Sequence, residues 1–369
     1  MGRPTVLLYE ECMREGMQIE SAEISVDDKV RLLDALSRTG LRAINVGSFV
    51  SPRYTPQMAN IDDVLKKFTP IDGIHYYYLA LNQRGIERAA PYVPPLRPQF
   101  SIPYLRAELC DTFLRRNNNR TKADVPARWE GIVARAKEAG ATEARIDLGS
   151  AFGSNFEGPF SHGERMYWIR EAKRYWDEAG IPVTAVGLFD PMSWCMPHWV
   201  EETVAAITEE YPQITTFHLH MHDARGMAVP SIYAAVRMLD ERHHVSMDVT
   251  AGGIGGCPYC GTGRATGMAP TEDVVNMFNA MGVETGVDLD KLIDAVWLLE
   301  EIIGRPTPGH VSKAGPLPGP DELYDANLPL VETHEQVKHF KLGRAAVEGG
   351  IIPWKEPIPT PALPTLPGR

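Results

Sequence analysis

Val183-Thr184-Ala185-Val186, which continues through Gly187 to Leu188, is a short apolar run rich in β-branched residues with helical patterns on both sides. Such a run is typical of a strand buried in a parallel sheet, because helices cover both faces of that strand. Seven further runs of this kind lie at residues 5–9, 43–47, 74–79, 99–103, 143–148, 215–220 and 246–250. Eight strand–helix units are the number that a closed barrel requires. The sequence therefore predicts an α/β fold of the TIM (β/α)8 barrel class.

The helical segments carry ordinary start and stop signals. Ser25 followed by Asp28 is typical of a helix N-cap with an acidic third residue, and Gly40 lies where a left-handed residue can end that helix. The predicted inward-facing stripe of this helix is Val26, Val30, Leu33 and Leu36. Residues 271–281 and 288–303 show the same helical pattern.

Composition limits the class of protein. The chain has 369 residues, of which 44% are hydrophobic and 23% are charged, and its formal net charge is −11. The negative charge and the lack of a Lys/Arg block argue against a nucleic-acid-binding role. The first residues do not form a secretory signal, and no apolar run approaches the roughly 18 residues of a membrane helix. Because five cysteines also do not suit a disulfide framework, we expect a cytoplasmic protein without membrane association.

The end of the chain differs in composition. Six prolines between Pro353 and Pro367 exclude regular helix and central strand. The apolar residues of this tail, which give it surface to bury, are Trp354, Ile358, Leu363 and Leu366. We expect a barrel domain of residues 1–313 and a helical, proline-rich C-terminal extension of residues 314–369. We expect the extension to pack on the barrel or on a partner subunit.

Three histidines alternate at the end of the seventh predicted strand, in His218-Leu219-His220-Met221-His222-Asp223. Alternation along a strand directs all three imidazoles to one face. If that face is the barrel interior, His220 and His222 open into the mouth, where barrel active sites lie. Two imidazoles at i and i+2 can bind one metal ion. His218 fits a core histidine, whereas three buried imidazoles without a ligand would be costly.

Two further loops are predicted at the same end of the barrel. Arg14-Glu15-Gly16-Met17-Gln18 follows the first strand, where its arginine can stabilise an enolate oxygen and its carboxylate can complete a metal site. By itself this loop is equally typical of a solvated surface segment. Gly252-Gly253-Ile254-Gly255-Gly256-Cys257 follows the eighth strand, and its glycines allow the backbone to approach a ligand closely.

The Cys257-Pro258-Tyr259-Cys260 motif allows three interpretations. Thiol–disulfide chemistry is disfavoured because the motif follows a late glycine-rich loop and not the first strand of a βαβ unit. The residue types would also allow a Cys2His2 zinc site with His220 and His222. We favour Cys257 as an acid–base thiol. The sequence contains no Walker motif, no dinucleotide-binding glycine motif after the first strand and no Gly-x-Ser-x-Gly elbow.

These loops resemble those of a known enzyme family. Two further segments carry the same resemblance, Ser48-Phe49-Val50-Ser51-Pro52-Arg53 and Pro56-Gln57-Met58. Together, from about Glu11 to about Lys313, the chain resembles the HMG-CoA lyase branch of the DRE-TIM metallolyases. That superfamily also includes isopropylmalate, homocitrate and citramalate synthases.

The resemblance implies a divalent metal, Mg²⁺, Mn²⁺ or Zn²⁺, on the top face of the barrel. Its implied ligands are Glu15, His220 and His222. The implied catalytic residues are Arg14 as enolate stabiliser, Cys257 as a mobile acid–base group and Asp190 near the substrate. The substrate contacts that we expect are Gln18, Asn45, Ser48 and Trp194. The implied reaction is a retro-aldol-type cleavage, in which loss of a hydroxyl proton expels an enolate.

The sequence departs from the family pattern in its polar positions. Glu15 replaces the metal-binding aspartate, Asn45 replaces an active-site glutamate of the second strand, and Met268 replaces an asparagine ligand. A thioether is a poor ligand for a hard ion such as Mg²⁺. Trp194 and Cys195 occupy a stretch that is small and glycine-rich in the lyases. These changes indicate a substrate other than HMG-CoA, a softer metal, or a site that has lost the original reaction.

Three functions are compatible with the sequence. The favoured one is a lyase that cleaves a 3-hydroxy acid or a 3-hydroxyacyl-CoA thioester. A Claisen-type synthase that joins an acyl-CoA to a 2-oxo acid is the second, but the regulated synthases carry a longer C-terminal domain. The third is a catalytically inactive barrel. We also expect a homodimer or a higher homo-oligomer, since the apolar, proline-rich tail suits a subunit contact.

Overall fold

Eight parallel strands of five to eight residues form the main sheet of the computed structural model, which describes residues 2–99, 102–261, 267–337 and 340–359. A two-residue strand is added at one edge, and a small hairpin stands apart. In chain order the strands are β1 (Thr5–Glu10), β2 (Ala43–Ser48), β3 (His75–Leu79), β4 (Leu96–Arg97), β5 (Tyr104–Glu108), β6 (Ala144–Gly149), β7 (Gly153–Ser154), β8 (Gly158–Pro159), β9 (Val183–Asp190), β10 (Thr216–Met221) and β11 (His244–Val249).

The main sheet has the order β4-β3-β2-β1-β11-β10-β9-β6-β5, and all its neighbours pair in parallel. The first strand pairs with the last one, with Leu8 opposite Met247. That pairing makes the sheet curl back on itself and confirms the predicted α/β barrel. Its two ends, β4 and β5, share no ladder within the described residues.

One predicted strand is wrong. The prediction placed the fourth strand at residues 99–103, whereas the structure has it at Tyr104–Glu108. Residues 100 and 101 of the predicted stretch lie outside the described part of the chain, and residues 99, 102 and 103 are not in a strand. Arg106 and Glu108 alternate with apolar residues on this strand, and such charged positions concealed it in the sequence.

Helices follow most strands and cover the outside of the sheet. In the barrel they are α1 (Val26–Ser37), α2 (Ile61–Lys67), α3 (Gln83–Ala89), α4 (Asp111–Asn118), α5 (Val125–Glu138), α6 (His162–Glu178), α7 (Pro197–Glu210), α8 (Ala228–Arg237), α9 (Thr271–Met281) and α10 (Leu289–Ile303). The predicted cap of α1 is present, since Ser25 Oγ accepts a 3.0 Å hydrogen bond from Asp28 N. The predicted helices at 271–281 and 288–303 are also confirmed, with Asp288 as the N-cap of α10.

The apolar core lies between the sheet and these helices. Leu33 and Leu36 of α1 are fully buried there, while Val26 and Val30 are half-buried against it. Burial of a side chain such as Leu33 stabilises the fold by about 2 kcal/mol. This outer core fixes the strand positions, and therefore the places at which the strand ends can present functional groups.

The inside of the barrel is polar. Barrel interiors are usually filled by branched apolar side chains, but here Arg145 and Asp147 of β6 point inward and form an ion pair in which Nε and Oδ1 are 2.7 Å apart. A Cβ atom at Gly187 of β9 would collide with Asp147 Oδ1, so that glycine makes the space for the pair. The interior is therefore built to hold charged groups.

A second compact unit comprises Gly309–Arg369. It contains two short helices, α11 (Val311–Ala314) and α12 (His334–Val337), and a mutual pair of hydrogen bonds of 2.8 and 2.9 Å between Asn327 and the backbone of Ile358. Residues 360–369, with the predicted apolar positions 363 and 366, lie outside the described residues. The expected domain boundary at residue 313, and the packing of the extension, stay predictions. No helix among the described residues is long and apolar enough to cross a membrane.

Candidate active site

A tight turn directly after β1 positions the first group of site residues. Cys12–Gly16 forms one π-helical turn, closed by a 3.1 Å hydrogen bond from Gly16 N to Glu11 O. The turn buries Glu15 and leaves Arg14 partly exposed. The Arg14 guanidinium forms an ion pair with Glu15, and its Nη1 lies 3.9 Å from Glu11 Oε2.

Glu15, His220 and His222 converge on one point. One ligand atom of each of these side chains lies within 4.8 Å of the other two, and this is the only such group of three or more His, Cys, Asp or Glu found among the described residues. His222 Nε2 lies 3.7 Å from Glu15 Oε1. One carboxylate and two imidazoles form a donor set that suits Mn²⁺ or Zn²⁺ well and that also accommodates Mg²⁺ through its oxygen. We call these three residues the triad.

Asp248 of β11 orients the histidines of β10. Its Oδ2 accepts hydrogen bonds of 2.8 Å from His220 Nδ1 and 3.2 Å from His218 Nε2. Burial would raise the pKa of Asp248, but the two adjacent imidazoles hold it below its usual range. Burial lowers the pKa of His220, which favours the neutral imidazole that a metal requires. A hydrogen bond at Nδ1 directs the other ring nitrogen toward the ligand position.

A cavity of about 370 Å³ opens over the triad. Seven of the ten residues predicted for the site line it: Arg14, Glu15, Gln18, Asn45, His220, His222 and Cys257. Gln18 Nε2 donates to Glu15 Oε1 at 3.0 Å and to the carbonyl oxygen of Gly256 at 2.9 Å. The glutamine thus holds the first loop against the glycine-rich loop.

The structure does not bring Ser48, Asp190 or Trp194 to this cavity, whose lining omits them. Ser48 lies at the end of β2, beyond a register irregularity that separates it from Asn45, and its side chain is buried outside the cavity lining. Asp190 follows the inward-facing Phe189, and its Oδ2 instead accepts a 2.7 Å hydrogen bond from Cys195 N. Burial raises the pKa of Asp190 to about 6.

Trp194 packs over Gly153 of β7, where a Cβ atom would meet its indole ring at 2.6 Å. Its Nε1 donates a 3.0 Å hydrogen bond to Asn155 Oδ1. The position of Met268 also differs from that of a ligand. Its backbone forms a bridge with His222 and its side chain is fully buried, but it does not line the cavity.

Cys257 lines the cavity, whereas Cys260 is buried and does not line it. A hydrogen bond from the Cys260 thiol lowers the pKa of Cys257, and the charge of Arg14 acts in the same direction against the effect of burial. Cys260 Sγ is buried 3.2 Å from the carbonyl oxygen of Pro191. Neither cysteine belongs to the metal-binding group found in the described residues, so the Cys2His2 alternative gains no support.

Glu11 is a cavity residue that the sequence analysis missed. Its carboxylate accepts a 2.7 Å hydrogen bond from Tyr77 Oη and bonds of 3.1 Å to each oxygen from Asn45 Nδ2. Burial raises the pKa of Glu11 to about 7, and the charge of Asp248 adds to this effect. Glu11 thus places a carboxylate beside Asn45. The family has a glutamate at the position of Asn45. Two consecutive glutamates at a strand end were its signal in the sequence.

Further cavity residues come from β5 and β6. Arg106, Arg145 and Asp147 line the cavity together with Phe189 of β9. The alternation of charged and apolar residues in Glu143-Ala144-Arg145-Ile146-Asp147 was a signal that one face of that strand is polar. It was missed because barrel strands were expected to be apolar on both faces.

Comparison with known proteins agrees with this geometry. Residues 5–298 match the family model described as HMGL-like. The chain belongs to the HMGL-like family. A mouse mitochondrial hydroxymethylglutaryl-CoA lyase is 32% identical to it over 302 residues, which cover 82% of this chain and 86% of that protein. The (R)-citramalyl-CoA lyase of Chloroflexus aurantiacus is 32% identical over 324 residues, covering 85% and 95%.

Solved structures of HMGL-like family members have the same fold. An HMG-CoA lyase from Bacillus subtilis superposes with a TM-score of 0.67 at 30% identity, covering 85% of this chain and 98% of that one. An HMG-CoA lyase from Acinetobacter baumannii, solved with coenzyme A and 3-methylmalate, also has a TM-score of 0.67, at 27% identity and 90% and 98% coverage. The likeness therefore covers the whole barrel.

Proposed function

We propose that this HMGL-like protein is a divalent-metal-dependent carbon–carbon lyase that cleaves a 3-hydroxy acid or its coenzyme A thioester. The observation that carries the proposal is the convergence of Glu15, His220 and His222 in one cavity with Arg14 and Cys257. The family relationship supports the same reaction class, since the curated relatives named above are lyases. Because both of these relatives are lyases, they favour a lyase over a synthase.

The triad would hold the metal. When bound, a divalent cation polarises the substrate oxygens that it contacts and lowers the free energy of a developing negative charge. The Glu15 side chain is one methylene longer than that of the aspartate found at this position in the family. The π-helical turn and the hydrogen bond from Gln18 hold its carboxylate near the imidazoles, which supports its role as a ligand.

The other cavity residues supply orientation and proton handling. Arg14 is partly exposed to the cavity, so its guanidinium can bind the enolate oxygen that forms as the carbon–carbon bond breaks. The Cys257 thiol, whose pKa is lowered, would deliver a proton to the enolate carbon. Asp248 would keep His220 in the tautomer that faces the metal.

Gln18 and Asn45 are proposed to contact the substrate, because both have polar atoms on the cavity wall. Asp190, Ser48 and Trp194 are proposed to act only indirectly, by shaping the loops and strand ends around the cavity. The substrate is proposed to differ from HMG-CoA itself, since Glu15, Asn45 and Met268 depart from the pattern of the family.

Metal titration with a matched pair of variants tests the proposal. Calorimetry of the purified protein with Mn²⁺ should show about one equivalent bound, and a panel of 3-hydroxy acids and 3-hydroxyacyl thioesters should yield an oxo product. His220→Ala should lose both properties, because it removes one of three protein ligands. His198→Ala, at an exposed position of α7, should behave like the wild type. Metal-independent cleavage, or no binding of Mn²⁺ and Zn²⁺, would disprove the proposal.

A further inference from the structure

Arg106 occupies the face of β5 that lines the triad cavity. Its neighbours Leu105 and Ala107 belong to the outer apolar core, so strand alternation fixes the arginine on the interior side. A Cβ atom at Gly149, on the adjacent strand β6, would collide with Glu108 Oε2 and Arg106 Nη2. The glycine therefore leaves the room that the Arg106 side chain uses.

The ion pairing of Arg106 is loose compared with that of the neighbouring arginine. Arg106 Nη2 lies 3.6 Å from Glu108 Oε2, and no shorter polar contact of the guanidinium occurs within the described part of the chain. Arg145, in contrast, meets Asp147 through two contacts of 2.7 Å and is 4% exposed. Arg145 is thus fully paired with Asp147 within the barrel wall, whereas Arg106 retains hydrogen-bond donors for another partner.

Stacking holds the Arg106 guanidinium near the triad. Its Cζ lies 4.4 Å from the centroid of the Phe189 ring, and that ring stacks on the His220 imidazole at 5.4 Å with an interplanar angle of 29°. A guanidinium that rests by its face on an aromatic ring keeps its N–H groups in its own plane, free to contact an anion. Phe189 therefore links the position of this cation to a proposed metal ligand.

Two amides supply neutral donors in the cavities that Arg106 lines. Asn117 and Asn118, at the end of α4, line both the triad cavity and an adjoining cavity of about 770 Å³, and Arg106 lines the same two spaces. Both asparagines are exposed, and their side chains form no polar contact within the described residues. A cation and two amides on the wall of one cavity form a group that can bind a carboxylate.

We propose that Arg106, with Asn117 and Asn118, binds an anionic group of the acyl substrate at a position separate from the triad. The substrate class would then be a hydroxy acid that bears a carboxylate besides the groups that reach the metal and Arg14. This inference names the substrate class of the proposed lyase and so rests on the proposed function. The same chemistry could bind a nucleotide phosphate of a thioester, and the experiment separates these two sources.

The test measures binding by calorimetry with glutarate, pentanoate and inorganic diphosphate, on the Mn²⁺-loaded protein and without metal. Glutarate and pentanoate have the same number of carbons and differ by one carboxylate. The wild type should bind glutarate about tenfold more tightly than pentanoate, since a charge-assisted contact supports such a ratio. Arg106→Gln should abolish the difference, and Arg106→Lys should keep part of it. Arg115→Gln is the control, because Arg115 pairs with Asp111 on the surface.

The outcomes are distinguishable. Equal affinities for glutarate and pentanoate in wild-type protein that binds Mn²⁺ would overturn the inference and leave the lyase proposal intact. Arg106-dependent binding of diphosphate without that of glutarate would overturn the carboxylate assignment in favour of a phosphate. If the chain binds no metal and cleaves nothing, the lyase proposal fails, while the metal-free titrations still decide whether Arg106 selects a dicarboxylate. If Arg106→Gln does not fold, the ratio of glutarate to pentanoate affinity in the wild type and in Arg106→Lys decides whether Arg106 binds the carboxylate.

Discussion

At the scale of single residues, the cavity differs from the family pattern chiefly in the positions that carry its carboxylates. The second strand supplies Asn45 where that family has a glutamate, and Glu11 at the end of β1 supplies a carboxylate that touches this asparagine. The same pair lies beside Arg14, whose Nη1 is 3.9 Å from Glu11 Oε2. An acid and an amide are thus held in direct contact on two adjacent strands.

Exchanging this acid and this amide tests whether the charge matters. Glu11→Gln should lower the cleavage rate by roughly 10²-fold with Mn²⁺ affinity retained, because the ionisable carboxyl group beside Arg14 is lost. Glu11→Gln/Asn45→Asp restores one acid and one amide in the same contact, and its rate should recover above that of the single variant. Steady-state kinetics and Mn²⁺ calorimetry measure both effects. A double variant no faster than Glu11→Gln would show that the charge acts only from position 11.

Asp248 allows a second test at this scale. Asp248→Asn removes the charged acceptor that holds His220 Nδ1, so Mn²⁺ affinity should fall by about 10- to 100-fold. Asp240→Asn is the control, because Asp240 pairs with Arg242 and His243 away from the cavity. Unchanged Mn²⁺ affinity in Asp248→Asn would contradict the orienting role. Thermal unfolding of each variant shows whether the fold is kept.

At the scale of elements, two buried glutamates connect the loops that carry the site. Glu10, at the end of β1, accepts hydrogen bonds from Cys12 N at 2.9 Å, Ala251 N at 2.9 Å and Thr271 Oγ1 at 2.6 Å. Glu272, in the first turn of α9, accepts a 2.9 Å bond from Gly252 N. These contacts hold the first loop, the glycine-rich loop and the start of α9 together.

The same glutamates predict a dependence of stability on pH. Burial raises the pKa of Glu10 to about 7 and that of Glu272 to about 8. Both values lie above the pKa of an unfolded glutamate. The folded chain therefore binds more protons than the unfolded chain at any pH between the unfolded and the folded pKa. The resulting stability is fully present below the unfolded pKa of about 4.5, falls as the pH rises above that value, and is completely lost above 7 to 8. Each carboxyl can contribute a slope of up to about 1.4 kcal/mol per pH unit.

Thermal unfolding between pH 5 and 9 measures this effect. The wild type should lose stability over that range, and Glu272→Gln should lose less, because a glutamine cannot ionise. Glu284→Gln, at an exposed position after α9, should follow the wild-type curve. If Glu272→Gln gives the same pH profile as the wild type, Glu272 does not remain protonated in the folded state near neutral pH.

At the scale of the whole molecule, every residue of the proposed site belongs to the unit Met1–Pro308. A fragment of residues 1–308 should therefore fold cooperatively and bind Mn²⁺ with the affinity of the full chain, as circular dichroism and calorimetry would measure. A fragment that is unfolded, or that binds no metal when the full chain does, would show that the second unit is required. Light scattering of both proteins also tests the predicted homodimer and the role of residues 314–369 in it.

The sequence by itself determined the elements and the end of the barrel at which the site lies. Seven of the eight main strands and the cap at Ser25 follow from apolar spacing and turn residues, which depend on neighbours in the chain. The alternation of His220 and His222 likewise fixed their common face. The convergence of these histidines with Glu15 followed from the rule that strand ends meet at one mouth.

Only the tertiary structure decided which side chains meet inside that mouth. Ser48 and Asp190 lie at the ends of β2 and β9, but neither lines the cavity, since a register irregularity separates Ser48 from Asn45 and Asp190 follows the inward-facing Phe189. Glu11 and Arg106 entered the site because their partners, Asn45 and Phe189, come from other strands. The register between strands sets such contacts, and register is a property of the closed sheet that no local pattern encodes.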